Sequence, residues 1–373
     1  MEKHLVLVGA GHAHLTTLAH IIRFVEKRYR VTVIGPSDYH YYSGMGPGML
    51  AGTYSAEQIR FATRRLVEKQ GGVFVLDRVV RVDPKQKVLQ LQSGPSIAYD
   101  VVSFNTGSYV PQDIVTDHGQ DVFPVKPIEN LIAARKRILQ LASRKQLTIG
   151  IVGGGPSAVE IAGNVWRLTR QGGLDQPAIS VFADHQLLPR LSPAVRLRVL
   201  RSLRQRGIAV IEESPVARVQ SGAIRLVSGR TVSSDLIFVA LGIRPSPIFR
   251  DSGLTTGPDG GLLVNAFLQS IDHPEIFGGG DCIRFQETAL DKVGVYAVRQ
   301  NPILYHNLMA SLQGGPLKTF DPGGAYLLIF NMGDQTGILF KQRLVFSGRL
   351  AFVIKDAIDR RFMRKFQAYE QSA

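Results

Sequence analysis

Two glycine clusters are the stretches of this chain best suited to chemistry, and the chemistry is the cradling of a pyrophosphate. Gly9-Ala10-Gly11-His12-Ala13-His14 follows the apolar run Leu5–Val8. Gly153-Gly154-Gly155-Pro156-Ser157-Ala158 follows the apolar run Thr148–Val152. In each, the first glycine allows a tight turn and the second lets the backbone approach phosphates closely. The third glycine place holds His14 in the first copy and Ala158, an accepted variant, in the second. Together they predict two dinucleotide sites in one chain. His12 and His14 stand where they can touch phosphates of the first. Gly280-Asp281, at the end of the short apolar run Ile276-Phe277, can offer a carboxylate to a ribityl or ribose hydroxyl.

These residues need strand–turn–helix units to position them. The spacing predicts helices over Leu15–Val25 and Ser157–Leu168, each following its glycine turn. The second strand of the first unit is Arg30–Ile34; the place where a ribose acid is expected holds Gly35-Pro36-Ser37, so either the first acid, Asp38, reaches back or backbone groups bind the ribose. Aromatic and glycine-rich Tyr39–Met49 reads as an irregular loop against a flat ring system. Val73–Leu76, Arg78–Val82 and Val88–Gln92 read as strands that pair with one another. Tyr99–Asn105 is a buried strand ended by Thr106-Gly107. In the second unit Ile179–Phe182 leads to Asp184, one place past the usual ribose acid. A carboxylate there repels a 2′-phosphate and favours NADH, while His185 and Arg190 keep NADPH open. Ile208–Glu212, Val216–Gln220, Ala223–Val227 and Thr231 onwards read as a small antiparallel addition, and Asp235–Leu241 with Gly242 closes the unit.

The fold class expected is α/β, with two Rossmann-like domains, the second inserted in the first, and a small α+β tail. The boundaries are 1–110 with 246–320 for the first domain, 111–245 for the second and 321–373 for the tail. In the tail, Arg349–Tyr369 reads as a helix with Leu350, Ile354, Ile358, Phe362 and Phe366 at every fourth place, amid many basic residues. Such a stripe lies in a membrane interface or packs on its own protein.

The composition sets bounds. The chain has 373 residues, 45% hydrophobic, with a formal net charge of +14. No apolar run reaches the roughly 18 residues of a spanning helix. The short segment before Leu5 leaves no room for a signal peptide, so a cytoplasmic protein is expected, peripheral on the cytoplasmic membrane face. The charge favours an anionic partner such as a membrane surface or nucleotide phosphates; nucleic acid ranks last, since no nucleic-acid motif is present. Cys282 is the only cysteine, so redox chemistry must use a bound cofactor rather than a cysteine pair. The spacing of His12, His14 and His20 does not make a metal site.

Gly9-Ala10-Gly11, Asn105-Thr106-Gly107, Gly153-Gly154-Gly155, Leu241-Gly242 and Gly280-Asp281 fall in the order found in the two-dinucleotide flavoproteins that include glutathione-reductase-like enzymes. The resemblance covers nearly the whole chain. Val152–Gly163, Leu187–Arg190 and Lys355–Phe366 most resemble type II NADH dehydrogenases. Gly11–His14 with Tyr42–Gly48 resembles the FAD-containing segment fused to selenide, water dikinases. The resemblance implies FAD on the first domain and NADH or NADPH on the second. It implies Asp281 at the ribityl chain, Glu160 near the nicotinamide and Gln300 lining a quinone site. Arg299 replaces the family's glutamine; it is a partner for reduced flavin or a quinone oxygen, or an ordinary helix residue. The implied activity is hydride transfer from NADH to FAD and onward to a quinone-like acceptor, with a homodimer as a possible assembly. The alternative is a flavin-binding redox sensor or scaffold with poor turnover.

Overall fold

Five short apolar runs pair in parallel to build the sheet beneath the first glycine turn. The computed structural model describes residues 2–117 and 119–371. The sheet runs in the order Ile276–Gly278, Val101–Phe104, His4–Val8, Arg30–Gly35, Val73–Leu76. The second sheet, also parallel, runs Val122–Pro124, Leu236–Val239, Thr148–Val152, Ala178–Phe182, Ala209–Ile211. In both, the strand entering the glycine turn is central, and the strand order reverses beside it. That reversal leaves a crevice at the carboxyl ends of the strands, where ligands of open α/β sheets bind. The central strands are buried on both faces, which explains why they read as unbroken apolar runs.

Several local expectations change. The first helix is not continuous: His12–His14 forms a 3₁₀ turn, and Leu15–Ala19 and Ile21–Val25 are separate helices broken at His20. Tyr39–Met49 is ordered as the short strand His40–Tyr41, a 3₁₀ turn and the helix Gly46–Leu50. Val73–Leu76 is an edge of the first parallel sheet, and the antiparallel set is Val79–Asp83, Val88–Leu91 and Ser96–Ala98. Likewise Ala209–Ile211 joins the second parallel sheet rather than the antiparallel addition. Alternation alone does not distinguish these partners, because edge strands in both contexts are half-buried.

The tail is a three-stranded antiparallel sheet, Leu328–Asn331, Gly337–Lys341 and Leu344–Gly348, followed by the helix Arg349–Gln371. It docks on the second glycine-turn helix, Pro156–Gln171, at a point where backbones nearly touch. A Cβ on Gly163 would lie 2.3 Å from the Met332 carbonyl oxygen, and one on Gly333 would lie 2.0 Å from that of Gly163. Asn164 donates to the Asn331 carbonyl at 3.2 Å, and Arg206 pairs with Asp334 at 3.0 Å.

The C-terminal helix turns back onto the first domain. Ala351, Met363 and Phe366 are buried, and Phe362 and Phe366 both pack against Phe61. Glu370 accepts from the Ala62 amide at 3.0 Å, and Gln367 donates to the Arg60 carbonyl at 2.9 Å. The expected apolar stripe is therefore split. Phe362 and Phe366 face the protein, while Leu350, Val353 and Ile358 remain 59%, 56% and 49% exposed. Gly163→Val should undock the tail and lower stability by about 2–3 kcal/mol, as overpacking against rigid backbone does. Urea denaturation of the variant checks this, and an unchanged midpoint would refute the close approach.

Candidate active site

Asn105 organises the first turn. Its side-chain oxygen accepts from the Ala13 amide at 3.0 Å, and its side-chain nitrogen donates to the Gly279 carbonyl at 2.7 Å. The asparagine thereby joins the Gly9–Gly11 turn to the Gly280-Asp281 turn. Gly9 has φ +88°, a left-handed conformation that favours glycine. A Cβ on Gly11 would lie 2.3 Å from the Asn105 Oδ1. Gln300 is buried and accepts from the Gly280 amide at 2.7 Å, so it braces this turn. Its neighbour Arg299 points elsewhere: it donates to the Pro322 carbonyl and, at 3.0 Å, to that of Gly324. The structure thus separates the two, with Arg299 holding the segment that leads to the tail.

The Asp281 carboxylate receives the Ser108 hydroxyl at 2.8 Å and the Lys126 ammonium at 3.1 Å. Burial opposes its charge, yet Lys126 and Ser108 together hold it below the usual carboxylate range. Lys126 was not singled out from the sequence, since a lone lysine before Pro127 carries no motif. Thr106 is exposed, and Gly107 faces open space. Asp38 is held by Arg64 at 2.6 Å beside the end of Arg30–Gly35.

The two histidines of the turn differ. His14 is fully buried, with Nδ1 against the Gly9 carbonyl at 2.7 Å and Nε2 against the Ser103 hydroxyl at 2.8 Å. Both ring nitrogens serve the fold, so the expectation that His14 touches phosphate gives way to a bracing role. His12 instead leaves Nε2 buried without a partner among the described residues. That orphaned atom, the tight glycine turn and the Asp281–Ser108–Lys126 cluster fit a dinucleotide with polar phosphates and a polyhydroxyl chain. Gly9, Gly11, His12, Thr106, Gly107, Gly280, Asp281 and Lys126 would hold it.

The second turn is more open. Gly153, at φ +139°, could not carry a side chain, because its Cβ would sit 2.2 Å from the Ala240 carbonyl oxygen. Gly155 faces open space at the start of the helix Pro156–Gln171, and Gly242, beyond the strand Leu236–Val239, also faces open space. A helix start leaves unpaired amides that suit a pyrophosphate. Asp184 is exposed beyond Ala178–Phe182, with His185 lying 3.6 Å from both Asp184 and Glu213. Arg196 is bound by Glu212 at 2.6 Å, which removes one cation from this edge.

A third cluster forms where the two domains and the tail meet. Glu160, on the second turn's helix, accepts from the Asn331 amide at 2.8 Å. Burial raises its pKa to about 7, against the opposing pull of Lys355 and that amide. Lys355 bonds to the Asp359 carboxylate at 2.7 Å and the Gly44 carbonyl at 2.8 Å. Burial would discharge it, but Asp359 and Glu160 outweigh burial and raise its pKa. The Tyr42 hydroxyl donates to Asp359 at 2.9 Å. Lys355, Asp359 and Tyr42 were not assigned chemistry from the sequence. The available signal was Lys355 and Asp359, one helical turn apart, within an apolar helix face.

Two glycine turns, each following the central strand of a five-stranded parallel sheet, with the Asp281–Ser108–Lys126 cluster beside the first, are the frame of a two-dinucleotide protein. The pattern described as pyridine nucleotide-disulphide oxidoreductase matches residues 3–307, and the chain belongs to that family. It is an FAD-dependent NAD(P)H oxidoreductase. It is 25% identical to a type II NADH:quinone oxidoreductase of Staphylococcus saprophyticus, with 98% of this chain and 96% of that one covered. It is 28% identical to the nitrite reductase (NADH) large subunit of Escherichia coli, but the match spans 61% of this chain and 27% of that one. The fold matches NDH2 from Plasmodium falciparum in complex with NADH with a TM-score of 0.84, at 15% identity, covering 99% and 97% of the two chains.

NADH should reduce the bound flavin faster than NADPH, and Asp184→Ser should narrow the gap by a factor of roughly five, the effect of one exposed charge near a phosphate. Stopped-flow bleaching with each nucleotide measures it. A gap unmoved by the substitution would assign the preference to other groups.

Proposed function

We propose that the protein oxidises NADH with a quinone as electron acceptor, at a membrane surface. The observation that carries this reading is the Glu160–Lys355–Asp359–Tyr42 cluster. The overall reaction is NADH plus a proton plus quinone giving NAD⁺ plus quinol, so one proton must come from outside the hydride. Glu160, with a pKa of about 7, is matched to hold and give that proton at neutral pH. Bound FAD supplies the two-electron relay between nicotinamide and acceptor. Lys355 keeps a positive charge beside Glu160, and Asp359 fixes that ammonium and orients the Tyr42 hydroxyl. The similarity to type II NADH:quinone oxidoreductases over nearly the whole chain supports the same acceptor class.

The membrane part of the proposal rests on the outward face of the tail. Leu344, Leu350, Val353 and Ile358 are exposed, with Lys341, Arg343, Arg349, Arg361 and Arg364 exposed around them. Apolar side chains within a basic rim gain from both burial and attraction to anionic lipid, about 1 kcal/mol per basic residue near the surface. No helix among the described residues is long and apolar enough to cross a membrane. A lipid-soluble quinone would be met at such a surface.

Glu160→Gln should lower kcat with a quinone about a hundredfold. It should also abolish the pH limb near neutrality: in the parent protein activity falls as pH rises through about 7 and the Glu160 proton is lost. Steady-state NADH oxidation with a soluble quinone across the neutral range measures both. A parent protein that turns over slowly with every quinone would instead support a redox sensor.

The joint substitution of Leu350, Val353 and Ile358 by Asn should leave folding intact, since all three are exposed, yet abolish sedimentation with phosphatidylglycerol vesicles at low salt. Equal sedimentation of parent and variant would remove the membrane assignment. Removing the whole helix is not an equivalent test, because Lys355, Asp359, Phe362 and Phe366 would leave with it.

A further inference from the structure

Two imidazoles, one on the first glycine turn and one packed against it, have hydrogen bonding that the fold leaves incomplete. His12 follows Gly11 directly and is 8% exposed. His40 lies on the short strand His40–Tyr41. The two rings meet edge to face, with centroids 5.1 Å apart. Around them the walls are aromatic. Phe362 stacks on His12 at 5.6 Å, Tyr42 lies 5.1 Å from it, and Phe61 stacks on His40 at 6.3 Å. Within this box the Nε2 atoms of both histidines are buried, and neither has a hydrogen-bond partner among the described residues.

This is not how the chain treats its other buried histidines. His14 and His4 have both ring nitrogens bonded to protein groups. A buried polar atom without a partner destabilises a fold, and phenylalanine would fill the same box without that cost. Two such atoms side by side point to a ligand that completes them. Burial lowers both pKa values, to about 4 for His12 and about 3 for His40, so each ring is neutral and can present Nε2–H as a donor. In that tautomer the pair suits a ligand that offers acceptors, close to a turn whose glycines admit a pyrophosphate.

We propose that His12 and His40 form a paired clamp on the FAD pyrophosphate, each donating Nε2–H to a phosphate oxygen. The proposal rests on the assignment of FAD to this turn. It extends the recognition site beyond the glycine turn to the strand His40–Tyr41. It also accounts for a polar pair in a box that Phe61, Tyr42 and Phe362 otherwise make apolar.

The test uses full-length protein freed of flavin and titrated with FAD, as parent, His12→Phe, His40→Phe and His12→Gln. Each Phe variant should bind FAD about tenfold more weakly, the scale of one charge-assisted hydrogen bond. Each should also melt higher than the parent without FAD, because an unpartnered buried nitrogen has been removed. His12→Gln, which keeps a donor, should recover part of the affinity. The ³¹P resonances of bound FAD should move in both Phe variants. Parent-like affinity and ³¹P shifts in both Phe variants would overturn the clamp. So would a fall in the flavin-free melting temperature, which marks the rings as packing elements. Failure of the parent itself to bind FAD would overturn the cofactor assignment and the clamp with it.

Discussion

Asn105, through its backbone carbonyl and its side chain together, is the constraint on which the first site depends. It occupies the space that side chains would need at three separate glycines. Its carbonyl oxygen lies 2.4 Å from a Cβ built on Gly9, its Oδ1 2.3 Å from one on Gly11, and its Nδ2 2.5 Å from one on Gly280. The glycine pattern is thus not three independent requirements but one residue seen from three sides. Asn105 is itself buried at the end of Val101–Phe104, next to the central strand, so its position is fixed by the sheet. The second domain repeats only the backbone part of this packing: Gly153 meets the Ala240 carbonyl as Gly9 meets that of Asn105, while Gly155, in the place of Gly11, meets no side chain. That difference fits their connections. The first turn must be held to a segment, Gly279–Asp281, that returns from far along the chain.

The proton-bearing cluster depends on a second constraint, the approach of the tail to the helix Pro156–Gln171. Gly163 and Gly333 let those backbones come close enough for the Asn331 amide to reach Glu160. One turn of helix separates Glu160 from Asn164, which holds the same segment from its other side. Glu160 is therefore placed by the tail, although it belongs to the second domain. Its raised pKa and the ammonium of Lys355 are complementary: a buried acid near neutrality and a buried base kept charged by Asp359. Neither environment exists until three parts of the chain have packed together.

What the sequence made legible follows from this. The glycine turns, the central strands and the Gly280-Asp281 turn are local patterns of backbone need, and one stretch of sequence displays each. His14 shows the limit. Its place in the fingerprint suggested phosphate contact, but a hydrogen bond to Gly9 closes within the turn while the bond to Ser103 depends on the neighbouring strand. Lys126 and Tyr42 were illegible for the same reason, because their partners lie far away in sequence; Lys355 and Asp359 pair locally, but their contacts with Gly44 and Tyr42 are equally distant. The edge strands Val73–Leu76 and Ala209–Ile211 were read with the wrong partners, since half-buried alternation does not specify which neighbour supplies the hydrogen bonds.

The C-terminal helix shows how one amphipathic pattern can face two environments. A stripe at every fourth residue drifts around a helix, so the early and late members of Leu350–Phe366 do not share a face over about four and a half turns. Leu350 and Ile358 consequently end on the outer side, and Phe362 and Phe366 on the inner. Between them lie Lys355 and Asp359, directed at Tyr42 and Gly44. The helix thus links an outward apolar and basic surface to the buried proton-bearing cluster within a few turns. A quinone arriving at that surface and a proton held at Glu160 would be brought together by the same rigid element. On this reading, the apolar drift that complicates the sequence pattern is what lets the helix face both ways.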